Sequence, residues 1–335
     1  MRILVIAPAW VGDIVMSQSL LKSIKQKYES NVHIDMFINP LFKPLALRMS
    51  EVDGVIDNPF AHGSLALFKR IELGRTLRKN NYDQIYVLPN SLKSAILPFF
   101  AGKLRIGFTG ESRYGLINQR YNLDKAKLPL MVERFCALAN DGDLPDTTNY
   151  PKLNADLANQ NHLINKFKIN PRLPIIAFCP GAEYGISKRW DPKYFAKLAD
   201  LLNDTQPYQI ILLGNAKDQA VSQQIEEHSK HQLINLCGKT SLADAVDLIS
   251  LCSHVVSNDS GLMHIAASLN TNLIALFGST SPNFTPPLSD RAHILKANLA
   301  CSPCFKRECQ YGHYNCQNLI SPHMVFAQIK ANSKS

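Results

Sequence analysis

Four short stretches carry side chains whose types and spacing could do chemistry. In Pro8-Ala9-Trp10-Val11-Gly12-Asp13 a lone carboxylate stands between an apolar run, RILVIA, and a helical pattern, DIVMSQSLLKSIKQKY. A carboxylate at such a junction could take the proton of an attacking hydroxyl. Gly12 would permit a tight turn or the close approach of a ligand. The plainer reading makes Asp13 the helix cap, a position aspartate favours. In VVSNDSGLMHIAA a strand ends at Asn258, and Ser260 and Gly261 open a helix. Free backbone N–H groups and the positive end of the helix dipole make that terminus an anion site, suited to a diphosphate. Asp259 would repel phosphate, so it is expected to cap the helix or to bind sugar hydroxyls. His264, one turn along, is either a ligand contact or a residue of the helix surface.

The other two stretches also follow strands. CPGAEYGISKRW is a glycine-bearing loop, with Gly181 at its start, that ends in Lys188 and Arg189. Lys188 could neutralise charge on a departing diphosphate, although loop cations are usually just solvated. In LLGNAKD, Asp218 could accept hydrogen bonds from a ribose or cap the helix that follows. No GxGxxG fingerprint, Walker lysine loop or HExxH pattern is present, which argues against a dehydrogenase, an NTPase and a zinc protease.

Eight cysteines fall into two groups. Cys136, Cys179, Cys237 and Cys252 lie in apolar patterns and read as small core residues. Cys301, Cys304, Cys309 and Cys316 cluster in CSPCFKRECQYGHYNC. They supply enough soft ligands for a structural zinc or iron–sulfur site, with free or redox-active thiols as the alternative. The loop is expected to be remote from the four stretches above.

Elements must hold these residues in place. Strand patterns alternate with helical ones from the start: RILVIA, then the helix with Ile14, Val15, Leu20, Leu21 and Ile24 at helical spacing, then VHIDMFI and onward through DQIYVLP and SLKSAILPFF. The alternation predicts a parallel sheet covered by helices. Residues 140–174 are polar and lack a strand pattern, so they read as the passage between domains. The alternation then restarts with PIIAFCPG, YQIILLG, HVVSND and NLIALFG. The fold class expected is α/β, two doubly wound Rossmann-like domains facing across a cleft, with ligands at the carboxyl ends of the strands. The boundaries expected are 1–170, 171–320 and a C-terminal helix, 321–335, that packs back with Met324, Val325 and Ile329 on one face.

The totals agree. A chain of 335 residues is long enough for two domains, and 46% hydrophobic against 19% charged residues is the balance of a soluble protein. No apolar run reaches the roughly 18 residues of a membrane span, and no signal-peptide cleavage pattern follows the first strand, so a cytoplasmic location is expected. The 36 basic and 27 acidic residues leave +9, which favours anionic partners. Nucleic acid is set aside, because no aromatic-basic platform accompanies the charge.

Read together, PAWVGDIVMSQSL, YVLPNSLKSA, RYGLIN, PLMVERF, CPGAEYGISKRW, LLGNAKD, NDSGLMHIAA and FGSTSPNFTPPL resemble the lipopolysaccharide heptosyltransferases, in order from residue 8 to 288. The resemblance implies the GT-B fold, with the acceptor on the first domain and ADP-heptose on the second. It implies inverting transfer of L-glycero-D-manno-heptose from ADP-heptose to the first heptose of a Kdo-lipid A acceptor. Asp13 is then the base and Lys188 steadies the diphosphate. Gly181, Asp218, Asp259, Ser260, Gly261, Leu262 and His264 join Lys188 in holding the nucleotide sugar. Gly12, Asn90, Ser91, Lys93, Arg113 and Arg120 are expected at the acceptor. Lys69, Arg70, Arg75 and Arg78 add to the basic surplus of the same half, although a helix face such as Arg75 and Arg78 with Lys79 is usually just solvated. The resemblance implies no required cofactor, a monomer, and an acceptor at the inner leaflet of the inner membrane, where the protein would attach peripherally. Transfer directly onto Kdo is the nearest alternative, and a non-catalytic nucleotide-sugar-binding protein is the other.

Overall fold

A computed structural model of the chain describes residues 1–29, 31–61, 63–144 and 149–332. It divides into two compact units, the first ending at Pro151 and the second starting at Lys152.

The first unit carries strands β1 (Arg2–Ile6), β2 (His33–Ile38), β3 (Gly54–Asp57), β4 (Gln84–Val87), β5 (Leu104–Phe108) and β6 (Gln119–Tyr121). Its helices are α1 (Val11–Lys27), α2 (Lys43–Ala46), α3 (Leu67–Leu77), α4 (Leu92–Ala101) and α5 (Met131–Ala137). The strands form one parallel sheet in the order β3-β2-β1-β4-β5-β6. β1 lies between its two neighbours in register, Ile6 opposite Phe37 on one side and Val87 on the other. Its residues Ile3, Leu4 and Val5 are fully buried, as an uninterrupted apolar run must be when a sheet is covered on both faces.

The second unit repeats the plan with β7 (Ile175–Cys179), β8 (Gln209–Leu212), β9 (Ile234–Asn235), β10 (His254–Asn258), β11 (Asn272–Phe277) and β12 (Ala292–Lys296). Its helices are α6 (Leu157–Lys166), α7 (Pro192–Asn203), α8 (Gln219–His228), α9 (Leu242–Ser250), α10 (Gly261–Ser268), α11 (Asn315–Asn318) and α12 (Pro322–Asn332). The order is β12-β11-β10-β7-β8-β9, so β7 and β10 correspond to β1 and β4. In each unit the order reverses between those two strands. The crevice beyond their carboxyl ends is where such sheets bind ligands.

The division after Pro151 differs from the boundary expected near 170. Helix α6 sits on the second unit: Asn159 Nδ2 donates to Asp247 Oδ2 at 2.7 Å and Asp244 Oδ1 at 3.1 Å, and Gln160 Nε2 donates to Ser250 Oγ at 2.6 Å. These polar contacts carry no hydrophobic period, so the segment looked like a linker. Residues 145–148 of that segment lie outside the described residues, as do 333–335 of the expected C-terminal segment 321–335. α12 packs on α7 and β11 of the second unit through the buried Val325 and Ile329, while Met324 is exposed rather than on the buried face. No described helix is long and apolar enough to cross a membrane.

Candidate functional site

In the first unit the switch point brings together the loops after β1 and β4. Trp10 takes the N-cap position of α1 with extended backbone (φ −117°, ψ 141°), and its carbonyl accepts from Ile14 N at 2.9 Å. Asp13 therefore stands at the third helical position. It does not cap the helix, but its charge still complements the helix N-terminus. Asp13 and Gly12 are half-buried and Trp10 is 53% exposed, so this turn lies at the carboxyl edge of the sheet with part of its surface open.

Asn90 and Ser91 open α4 on the other side of that switch point, with Asn90 exposed and Ser91 and Lys93 half-buried. The loop between β5 and β6 clasps them. Glu111 N donates to Asn90 O at 2.9 Å, and Glu111 Oε2 accepts from Leu92 N at 3.0 Å. Gly110, at φ +56°, lies so close that a Cβ would fall 2.4 Å from Asn90 O.

Arg113 corrects the expectation. It is fully buried, and its guanidinium donates to Pro89 O at 2.6 Å, to Phe108 O, to Ser94 Oγ at 3.3 Å and to Asn90 Oδ1 at 3.4 Å. Burial pulls its pKa down to about 10, still charged at neutral pH. Arg113 pins the β4–α4 loop to the end of β5 and has no surface to offer an acceptor. Arg70 is likewise turned inward. Arg120 is exposed, its guanidinium 5.1 Å from the centre of the Tyr114 ring.

In the second unit the corresponding loops follow β7 and β10, and one side chain joins them. Asn258, fully buried, donates through Nδ2 to Pro180 O at 2.7 Å and accepts from Trp190 N at 3.1 Å. Lys188 Nζ lies 2.7 Å from Asp259 Oδ2, and the side chains are only 13% and 4% exposed. Thr280 Oγ1 donates to the same carboxylate oxygen. Asp259 thus neither caps α10 nor stands unopposed beside a phosphate, because Lys188 neutralises it.

Ser260 is the N-cap of α10 with extended backbone (φ −148°, ψ 176°), and its side chain makes no cap hydrogen bond. The first amides of α10, at Gly261 and Leu262, begin a helix of eight residues, and both residues are half-buried. A diphosphate there would meet helix amides and the ammonium of Lys188 together. His264 is buried under this turn rather than on the helix surface, and burial holds its pKa down at about 4, so it is neutral at physiological pH.

Asp218 sits at the N-cap position of α8, but its side chain makes no cap hydrogen bond to that helix. Its carboxylate accepts from Asn215 N at 3.0 Å, and the residue is 5% exposed. Desolvation raises its pKa. A Cβ on Gly181 would lie 2.4 Å from Asp218 Oδ2. Gly181 is therefore a glycine because Asp218 occupies that space.

The cysteine loop is not remote. Ser187 N donates to Arg307 O at 3.1 Å, Ser187 Oγ donates to Lys306 O at 2.5 Å, and Tyr184 OH donates to Phe305 O at 2.6 Å. A Cβ on Gly185 would lie 2.4 Å from Arg307 O. The loop forms a wall behind the segment that carries Lys188. Its thiols are free, and among the described residues no three His, Cys, Asp or Glu side chains are grouped to hold a metal ion. Backbone N–H groups of Tyr314, Tyr311, His313 and Gly312 draw the Cys309 thiol below its usual pKa. Burial, then the neighbouring Cys304, Cys309 and Cys301, raise that of Cys316. The other four cysteines are buried core residues, as expected.

Asn258, Thr280, Tyr184 and Ser187 were missed by the sequence reading. Asn258 ends a recognisable strand, which was the one available signal. The rest act through partners distant in sequence.

Comparison with known proteins places this arrangement. The sequence model of glycosyltransferase family 9 (heptosyltransferase) matches residues 70–315. Lipopolysaccharide heptosyltransferase 2 of Escherichia coli K12 is 42% identical over 99% of this chain and 98% of that protein. Lipooligosaccharide heptosyltransferase 2 of Haemophilus influenzae is 47% identical over 88% of each. The solved structure of the E. coli ADP-heptose LPS heptosyltransferase II superposes with a TM-score of 0.89 at 40% identity, covering 99% of this chain and 98% of that one. The chain belongs to glycosyltransferase family 9, and its two Rossmann-like units are those of the GT-B fold.

Proposed function

We propose that this family 9 enzyme transfers L-glycero-D-manno-heptose from ADP-heptose to the first heptose of a Kdo-lipid A acceptor, with inversion at the anomeric carbon. The observation that carries the reading is the near full-length identity to proteins named lipopolysaccharide heptosyltransferase 2. Two catalytic groups at equivalent switch points of the two sheets support it.

In the reaction, the acceptor hydroxyl gives its proton to the Asp13 carboxylate as its oxygen attacks the anomeric carbon. The bond from that carbon to the diphosphate oxygen breaks, and ADP leaves with the electron pair. Lys188 and the first amides of α10 carry the charge that develops on the diphosphate. Asp259 holds Lys188 in place and would accept from sugar hydroxyls. Asn90, Ser91, Lys93 and Arg120 border the acceptor, which carries carboxylates and phosphates. Charge neutralisation by these groups leaves no step that needs a metal, so turnover should persist in EDTA. The enzyme would act as a monomer on an acceptor in the inner leaflet of the inner membrane.

The test is incubation with ADP-heptose and purified mono-heptosylated Kdo-lipid A, followed by mass measurement. The expected product is heavier by one heptose. Transfer only to Kdo-lipid A without heptose, or no transfer at all, would overturn the reading.

A further inference from the structure

Helix α3 has one face seated and one face outward. Arg70, Gly74 and Leu77 are buried, and Gly74 lies so close to α4 that a Cβ would be 2.6 Å from Leu97 O. Arg70 also locks the approach to the helix, with Nε donating to Leu65 O at 2.7 Å, Nη2 donating to Ser64 O at 3.2 Å, and the guanidinium 4.0 Å from the centre of the Phe60 ring. Held this way, the head of the helix presents Leu65, Leu67 and Phe68 to solvent, 52%, 41% and 83% exposed.

A single exposed apolar side chain needs no explanation. Three within four positions, on backbone that is pinned from beneath, form a built surface. Its setting is cationic. From Leu65 to Lys79 there are five basic residues against Glu72 alone, and four of the five, Lys69, Arg75, Arg78 and Lys79, are exposed. None of these four enters a salt bridge among the described residues. Apolar side chains at the tip with long cations around them match the section of an anionic bilayer: acyl chains take the former, and headgroup phosphates take the latter. Nucleic acid would use the cations but has no use for the leucines. The head of α3 also follows β3, so it lies at the carboxyl end of the sheet that carries Asp13 and Asn90.

We propose that Leu65, Leu67 and Phe68, ringed by Lys69, Arg75 and Lys79, dock the first unit on an anionic phospholipid surface. The inference rests on the proposed reaction only for its purpose, delivery of a lipid-borne acceptor to the carboxyl edge of the sheet. The docking itself is measurable without turnover.

The experiment is flotation of the full chain with vesicles of phosphatidylethanolamine and phosphatidylglycerol, and with vesicles of phosphatidylcholine. Wild type should float with the anionic vesicles, release as salt is raised, and stay behind with the neutral ones. Phe68→Ser should weaken the association by about tenfold while leaving thermal unfolding unchanged, since the side chain packs on little. Lys69→Glu with Lys79→Glu should weaken it by roughly fivefold per lost cation. Equal flotation with both vesicle types, full retention by Phe68→Ser, or release from vesicles by a soluble polyanion at equimolar phosphate would overturn the proposal. Turnover of Phe68→Ser on detergent-dispersed acceptor should equal wild type. Should wild type itself fail to turn over, the reaction assigned above falls and the flotation result still decides the docking.

Discussion

Lys188 Nζ and Asp259 Oδ2 are 2.7 Å apart in a setting where both side chains are nearly buried. The pair couples the loop after β7 to the head of α10, so the cation that would meet a diphosphate is held by a carboxylate from the opposite loop. Truncating the lysine leaves a buried carboxylate without its counter-ion, which costs more than the interaction itself is worth. Lys188→Met should lower turnover about 10²- to 10³-fold and raise the KM for ADP-heptose. Asp259→Asn keeps a hydrogen-bond acceptor and should lose less donor affinity than Lys188→Met. Steady-state kinetics on both variants decides it, and the reverse order would refute the arrangement.

Asp13→Asn removes the proposed base and keeps the shape. Loss of a general base typically costs about 10²- to 10⁴-fold, so turnover should fall within that range, with ADP-heptose affinity by calorimetry within about twofold of wild type. Near-normal turnover would remove Asp13 from the mechanism.

Two arginines predicted alike from sequence should behave differently. Arg113 is encased by carbonyl oxygens, and Arg113→Met would orphan them, so stability should drop by roughly 3 kcal/mol or more. Arg120→Ala removes an exposed cation and should leave stability within about 0.5 kcal/mol while raising the acceptor KM. Chemical denaturation together with acceptor titration separates the two, and an unchanged midpoint for Arg113→Met would contradict its assigned role.

Acid should weaken the second unit as its buried histidines take up protons on unfolding. Burial lowers His254 and His264 to about 4, against about 6.5 in an unfolded chain. Between those values the unfolded chain binds more protons, so stability rises with pH and is fully present above about 6.5. Each histidine can contribute up to roughly 3 kcal/mol across that window. Asp218, whose pKa is raised by burial, acts in the opposite sense and trims the slope. Denaturation midpoints at pH 7 and pH 5 should differ, and His254→Gln should reduce the difference. Equal midpoints would show that these histidines are not buried neutral.

Gly185 tests the wall formed by the cysteine loop. A methyl there would meet Arg307 O at 2.4 Å, and backbone does not yield cheaply. Gly185→Ala should shift the Lys188 segment and raise the KM for ADP-heptose about tenfold, with little effect on the acceptor KM. Unchanged kinetics for both substrates would mean that the loop does not govern the segment.

The alternating apolar runs made both sheets legible, because a parallel strand buried on two faces needs the uninterrupted pattern that RILVIA and PIIAFC display. Asp13, Lys188 and Ser260 were singled out for a related reason: each lies in the connection or helix start that follows such a run. Arg113 was misjudged because its shortest hydrogen bonds go to main-chain carbonyls, which leave no trace in residue type. The boundary moved because α6 binds α9 through Asn159 and Gln160 instead of an apolar stripe. The wall behind Lys188 was invisible because Ser187 and Lys306 meet only through folding.

Trp190 is fully buried and donates its indole N–H to Ile320 O at 2.8 Å, and Ile320, Val325 and Ile329 fill the same core as Ile176 and Val256. The second unit cannot complete its interior until residue 329 has left the ribosome. The first unit, closed by Pro151, can condense while translation continues. The two halves of the enzyme therefore mature in sequence, and a nascent chain stalled before Ile320 would carry a finished N-terminal body tethered to a hollow second one.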